Sequence, residues 1–458
     1  MCGIIGVFSE SINEYIPYEV FEGLMSLQHR GQDSVGIATD YCIIKRNGLV
    51  KYAFQNDDLS QLSCKSCIGH VRYATNGIAN NIQPLYMSLP SRITLCHNGN
   101  IINTESITYI LKHHFDIDVS TKSDTELILA LFCAKLYSLI KEDKSELNAK
   151  IITTVTDYLQ ELLEGSFCLI IIIQRYGMIV LRDKNGIRPL ILGKRNNNYM
   201  IASESASLNI LNYDILRDVH PGETIIFSEK DNSVLYHTVK DTVLSPCLFE
   251  YLYFARADSE IDGISVHNAR IRIGQTLGEK MLSKWDCEQI DVIVPVPDTS
   301  ITFANGISDI IKKPLREGFI KNRYIDRTFI MKNNRMIQQN IKRKLSGIRD
   351  VFNEKNVLIV DDSIVRGNTS KHIISIAREY GANNIYFASC SPIVKETNQY
   401  GIYIPTRKEL ISFERNLDEI KRTINVDFLI YHDLPTISNE LKKMNPKIDN
   451  FETSMFSD

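Results

Sequence analysis

Residues 357–370 read Val357-Leu358-Ile359-Val360-Asp361-Asp362-Ser363-Ile364-Val365-Arg366-Gly367-Asn368-Thr369-Ser370. The first four are apolar without alternation, the pattern of a short strand covered on both faces. Two acids follow at once. A turn then runs through Gly367, and Asn368, Thr369 and Ser370 open a segment whose apolar residues Ile373, Ile374 and Ala377 recur at helical spacing. A strand, a polar loop and a helix start in this order make a seat for phosphate. The first N–H groups of a helix have no internal partner and point at an anion, with the Thr369 and Ser370 hydroxyls beside them. Gly367 lets the backbone approach closely. Paired carboxylates at the C-terminal end of a strand can accept hydrogen bonds from vicinal sugar hydroxyls, where ligands bind in open α/β sheets. A plain buried strand followed by a capped helix accounts for the apolar run, but not for two acids beside an anion-binding turn.

This stretch resembles the phosphoribosyltransferase signature. The resemblance implies that Asp361 and Asp362 hold the ribose hydroxyls and the metal-associated end of phosphoribosyl pyrophosphate. It also implies that Arg366 and Gly367–Ser370 hold the 5′-phosphate.

Working outward, 458 residues predict two or more domains. Composition is that of a globular protein, 44% hydrophobic and 23% charged, and the net charge of -3 gives no general electrostatic case for nucleic acid. The longest apolar run, Phe167–Ile173, is far too short for a membrane span, and Glu10 with no basic run before it argues against a signal peptide. Ten scattered cysteines suit a reducing cytoplasm. Cys64 and Cys67 form a lone CxxC, read as ordinary thiols.

The N-terminus reads Met1-Cys2-Gly3-Ile4-Ile5-Gly6. Removal of Met1 would leave a thiol and a free α-amine on one Cα. With pKa values of about 8 and 8.5, the amine can take the thiol proton, so nucleophile and base come from one residue. Alone, this stretch reads equally well as a chance cysteine in an apolar first strand. Further motifs follow in order: Gln28-His29-Arg30-Gly31-Gln32-Asp33, Gly69-His70-Val71-Arg72-Tyr73, Cys96-His97-Asn98-Gly99, and Ser123-Asp124-Thr125-Glu126 before an apolar helix. Together they resemble the class II glutamine amidotransferases. That likeness implies that Cys2 attacks the glutamine amide and that Asn98 and Gly99 stabilise the oxyanion. It implies that Arg72 pairs with the α-carboxylate, Asp124 pairs with the α-ammonium, and Arg30 and Gly31 lie on a loop closing over the substrate. His29, His70 and His97 are read as orienting loops, since the amine supplies the base. Tyr73 is read as a reporter between sites.

Short apolar runs at 168–173, 178–181, 190–192 and 224–227 predict layered antiparallel strands. The implied first-half fold is an αββα four-layer sandwich of the N-terminal-nucleophile hydrolase type, with Arg182–Leu190 and Ala202–Ser205 as scaffold and interface. A polar, strand-poor stretch, Ser228–Asp241, is read as the boundary, giving domains 2–235 and 236–458.

In the second half, Ile290–Val296 predicts another buried strand, followed by Pro297-Asp298-Thr299-Ser300. Between Lys312 and Arg349 stand twelve Lys or Arg against Glu317 and Asp326. Such a run between two phosphate-binding loops points to a polyphosphate ligand rather than nucleic acid. The whole chain resembles the amidophosphoribosyltransferase family. That implies a second-half parallel-sheet phosphoribosyltransferase domain with a pyrophosphate loop at Asp298, Thr299 and Ser300. It also implies a closing loop with Lys321, Tyr324 and Arg327, and Mg2+ held by Thr299, Asp361 and Asp362. The implied reaction makes 5-phosphoribosylamine from glutamine and phosphoribosyl pyrophosphate in purine synthesis. The same likeness implies feedback by purine nucleotides and a cytoplasmic homotetramer, with neither nucleic acid nor membrane as partner. No iron–sulfur cluster is expected, because Cys247 stands alone and Asn398 replaces a ligand. The alternative weighed is an inactive purine-nucleotide-binding regulatory relative.

Overall fold

The computed structural model describes residues 2–55, 59–73, 81–119, 123–143, 146–322, 345–402 and 406–456. The first half is built on two antiparallel sheets. One contains β1 (Gly3–Asn13), β2 (Ser34–Thr39), β3 (Ile43–Asn47), β4 (Cys64–Arg72), β9 (Ile191–Arg195), β10 (Asn198–Ala202) and β11 (Asp214–Asp218), in the order β11-β9-β10-β1-β4-β2-β3. The other contains β5 (Leu85–Met87), β6 (Ile93–Ile101), β7 (Gly165–Ile173), β8 (Gly177–Arg182), β12 (Glu223–Ser228) and β13 (Val234–Thr238), in the order β13-β12-β8-β7-β6-β5.

Alternation along the strands makes the layers. Ile4 and Phe8 of β1 pack between the sheets, while Ile5 and Val7 pack outward under α1 (Ile16–Ser26). In β7, Cys168, Ile170 and Ile172 face the first sheet. Leu169, Ile171 and Ile173 face α2 (Thr104–Phe115), α3 (Asp124–Asp143) and α4 (Ala149–Leu162). An apolar run buried on both faces is thus a central strand between two cores. The order helix, sheet, sheet, helix is the four-layer sandwich implied by the sequence.

The second half holds a parallel sheet in the order β16-β19-β20-β21: β16 (Val292–Pro295), β19 (Val357–Asp361), β20 (Ile385–Ser389) and β21 (Phe428–Tyr431). Leu358 and Val360 point at α5 (Val266–Lys284) and α6 (Ser300–Ile311). Val357 and Ile359 point at α7 (Asn368–Glu379). Two small antiparallel ribbons complete it, β14 (Glu260–Ile261) with β15 (Ile264–Ser265), and β17 (Phe319–Lys321) with β18 (Leu345–Gly347).

One expectation is corrected. The stretch Ser228–Asp241, read as strand-poor, carries β13, which pairs with β12 from Val234 to Thr238. Its residues are exposed or half-exposed, so this edge strand lacks the apolar alternation that marks a half-buried one. The second sheet of the first half therefore continues past residue 235. Cys64 and Cys67 are buried free thiols in the core beneath α1. No helix among the described residues is long and apolar enough to cross a membrane.

Candidate active sites

β1 delivers Cys2 to the edge of the inter-sheet space, and β6 delivers Asn98 opposite it. The Cys2 nitrogen donates to Asn98 Oδ1 at 3.3 Å. Asn98 Nδ2 is buried, with no hydrogen-bond partner among the described residues. Buried donors are rarely left unmet, so an unpaired amide beside a thiol is a ready oxyanion donor. At Gly99 a Cβ would stand 2.0 Å from the Ser166 carbonyl oxygen, so the strand pair can close only around glycine. Cys2 also lies near Cys96, whose thiol is pushed well above its ordinary value by burial and by that neighbouring sulfur.

Arg72, 9% exposed at the end of β4, and Asp124 at the start of α3 flank this space. Asp124 Oδ1 accepts from the Thr125 N–H at 2.8 Å, and Oδ2 lies 3.6 Å from His97 Nδ1. Gly31 lies in the loop tied to β4 by the Asp33 N–H, which donates to Arg72 O at 3.0 Å. Arg30 is turned inward. Its Nε donates to the Cys2 carbonyl at 3.0 Å, and its other nitrogens reach Glu204 and Glu250. It therefore holds the Cys2 backbone.

The three motif histidines differ. His29 Nε2 lies 2.6 Å from Glu204 Oε1, and His97 Nδ1 lies 3.2 Å from Thr125 Oγ1. His70 is fully buried, and burial, with the neighbouring Arg72 guanidinium, pulls its pKa down to about 3. Among the described residues none of the three is hydrogen-bonded to Cys2.

The second site forms at the C-terminal ends of β16 and β19. Asp361 and Asp362 are 6% and 8% exposed. Ser300 Oγ donates to Asp361 Oδ1 at 3.4 Å, which joins the loop 297–300 to the acid pair. The Ser363 hydroxyl donates to Asp362 at 2.7 Å. Burial and the adjacent Asp362 push the Asp361 carboxyl well up. Burial pushes Asp362 up to about 6, against the pull of Ser363 and the Arg270 guanidinium. Gly367 caps α7 with φ +76° and no side-chain cap, so the N–H groups of Asn368, Thr369 and Ser370 open toward the loop. Ser370 is 2% exposed, while Arg366 pairs with Glu409 at 2.9 Å. Lys321 on β17 reaches Asp298 at 3.0 Å, so the two loops meet, with Thr299 at the cap of α6 between Asp298 and Ser300. Tyr324 and Arg327, with most of the basic run, lie outside the described residues. Among the described residues no group of three or more His, Cys, Asp or Glu could hold a metal ion.

Sequence reasoning missed the junction between the sites. Glu250 accepts from Arg30 at 2.7 and 3.1 Å and from Arg188 at 3.3 Å. Glu204 joins it through Arg30, and also accepts the Arg256 N–H at 2.9 Å and the Ser259 hydroxyl at 2.8 Å. Arg182 forks onto Asp262 at 2.8 and 2.9 Å. Apart from Arg30–Glu204, each pair joins residues from opposite halves of the chain. The hints were the Arg182–Leu190 and Ala202–Ser205 motifs, read as scaffold and interface, which contain Arg182, Arg188 and Glu204.

Residues 70–210 match the model of a glutamine amidotransferase domain, and residues 263–393 that of a phosphoribosyl transferase domain. The amidophosphoribosyltransferases of Pasteurella multocida and Escherichia coli are each 42% identical to this chain, covering 100% of it and 92% of their own length. That of Saccharomyces cerevisiae is 38% identical at the same coverage. The solved structure of the B. subtilis glutamine phosphoribosylpyrophosphate amidotransferase, complexed with ADP and GMP, superposes with a TM-score of 0.86 at 35% identity, covering 100% of this chain and 96% of its own. The chain therefore belongs to the amidophosphoribosyltransferase family, whose enzymes carry out the first committed step of purine biosynthesis.

Proposed function

We propose that this chain transfers the amide nitrogen of glutamine to phosphoribosyl pyrophosphate, with the residue roles that follow. The observation that carries the reading is the unpartnered Asn98 Nδ2 beside Cys2, in the same chain as the Asp361–Asp362 pair. After removal of Met1, the α-amine of Cys2 takes the thiol proton and Sγ attacks the glutamine amide carbon. Asn98 Nδ2 and the Gly99 N–H stabilise the oxyanion. The C–N bond breaks, ammonia leaves with the proton, and water then hydrolyses the thioester to glutamate. Arg72 fits the α-carboxylate and Asp124 the α-ammonium. Ammonia attacks the anomeric carbon in the second site and displaces pyrophosphate with inversion.

There, Asp361 and Asp362 accept from the ribose hydroxyls, while Arg366 and the α7 N-terminus, Gly367–Ser370, cradle the 5′-phosphate. Asp298, Thr299, Ser300 and Lys321 fit the pyrophosphate, with Tyr324 and Arg327 on the closing loop. The hard oxygen donors of Asp361, Asp362 and Thr299 suit Mg2+, which binds through one or two carboxylates plus substrate phosphates. When bound, the ion neutralises the departing pyrophosphate. The division into units 2–235 and 236–458, a cytoplasmic homotetramer and feedback by purine nucleotides belong to the same proposal. The ADP and GMP of the B. subtilis complex support the last of these. An inactive regulatory relative would have no use for an unpaired amide over a cysteine.

The test is synthesis of phosphoribosylamine by wild type and Cys2→Ala, with glutamine or an ammonium salt as donor. The variant should lose the glutamine reaction and keep the ammonium reaction. Retained glutamine use would refute the assignment of Cys2, and no ammonium-dependent synthesis in either protein would refute the second site.

A further inference from the structure

Asp124, at the start of α3, keeps 23% of its side chain open to solvent. Next to it lies a buried polar cluster made of Gln83, His97 and Thr125. Gln83, two residues before β5, accepts the His97 N–H through Oε1 at 2.7 Å. Its other amide atom is thereby the nitrogen, and Nε2 donates to Thr125 Oγ1 at 3.1 Å. His97 Nδ1 lies 3.2 Å from the same oxygen. Gln83 thus ties the strand that carries Asn98 to the first turn of α3.

Both oxygens of Asp124 are held. Thr125 gives Oδ1 two donors, its N–H at 2.8 Å and its hydroxyl at 3.4 Å. The Ile101 N–H at the end of β6 donates to Oδ2 at 3.4 Å, and His97 Nδ1 stands 3.6 Å from that oxygen. A hydroxyl has one proton and two lone pairs. Gln83 Nε2 occupies one lone pair, which turns the Thr125 proton toward Asp124 and His97. Burial pulls the His97 pKa down against the pull of Asp124, so the ring stays neutral. A protonated ring would compete with a substrate ammonium for the carboxylate, whereas a neutral one leaves that charge to the substrate.

We propose that Thr125, held by Gln83 and His97, is a positioning residue that aims the Asp124 carboxylate at the α-ammonium of glutamine and so sets the preference for a substrate with an α-amine. A carboxylate fixed at both oxygens keeps one orientation before substrate arrives, and less freedom is lost on binding. A substrate without the amine leaves that fixed charge unpaired and is rejected. Thr125 and Gln83 themselves need not touch the substrate. Their role rests on the reading of Asp124 as the ammonium partner.

The test follows ammonia release from glutamine and from 4-carbamoylbutanoate, which is glutamine without its α-amine. Wild type is compared with Thr125→Val, Thr125→Ser and Asp124→Asn. Thr125→Val keeps the shape and removes the hydroxyl. Its preference for glutamine, the ratio of the two kcat/KM values, should fall by roughly tenfold, the scale of one hydrogen bond to a charged group. The loss should lie in KM for glutamine, with kcat within about twofold of wild type. Thr125→Ser should restore most of the preference, and synthesis from an ammonium salt should be unchanged in both. If Thr125→Val does not fold, Gln83→Met decides, with a loss of preference of about threefold or more expected. An unchanged preference, an equal fall for both substrates, a matching fall in ammonium-dependent synthesis, or a loss in Thr125→Ser as large as in Thr125→Val would overturn the proposal. Absence of the preference in wild type, or its survival in Asp124→Asn, would instead refute the ammonium reading, and the positioning role with it.

Discussion

The Cys2 nitrogen is held by Asn98 Oδ1 at 3.3 Å, and the nitrogen of the same amide is buried with no partner among the described residues. On the proposed roles, one side chain both orients Cys2 and faces the charge that attack by its thiol would create. Asn98→Ala should lower glutamine hydrolysis by about 10²–10³-fold, the usual cost of one oxyanion donor. Synthesis from ammonium salts should be spared. Steady-state rates with the two donors check this.

Gly367 has φ +76°, and a Cβ there would lie 2.3 Å from Ile411 Cδ1. Gly367→Ala should strain the start of α7 by about 1–2 kcal/mol and spoil the phosphate seat. The expected result is a KM for phosphoribosyl pyrophosphate raised by roughly 5–30-fold, with glutaminase measured alone unchanged.

Asp218 accepts the Asp262 N–H at 2.9 Å, and burial with the neighbouring Asp262 carboxylate pushes its pKa up to about 7. The folded chain therefore holds a proton that the unfolded chain releases near pH 4. Stability from this group is complete below that pH and is lost as pH rises through about 7. Asp218→Asn keeps the acceptor and removes the titration. Melting at pH 5 and pH 8 should show a smaller loss toward high pH in the variant, with a difference on the order of 1–3 kcal/mol.

Arg182 is fully buried, forks onto Asp262 and also donates to the carbonyls of Gly186, Arg188 and Val219. Arg182→Met would leave a buried carboxylate and three carbonyls without it. A destabilisation of about 3–5 kcal/mol is expected, read as a lower urea midpoint.

The fold was legible where local pattern and burial coincide. Val357–Val360 reads as a strand because both faces meet apolar helices, and β7 reads likewise between two cores. β13 was hidden because an exposed edge strand leaves no apolar period. At the candidate sites, Cys2, Asn98, Asp361 and Gly367 could be singled out because each stands in a motif that is local in sequence. Glu250 was not, since its meaning comes from Arg30, 220 residues away in sequence, and from Arg188. Arg30 was singled out as part of a closing loop, but its inward turn could not be read from a loop motif, because the direction of a side chain is set by tertiary partners.

On the proposed roles, ammonia freed at Cys2 is the nucleophile used beside Asp361. The most direct measurement follows glutamate and pyrophosphate together in wild type supplied with glutamine and phosphoribosyl pyrophosphate. The two products should appear one for one throughout the time course, and no pyrophosphate should form when glutamine is omitted without added ammonium. Glutamate formed at a steady rate with no matching pyrophosphate would contradict it.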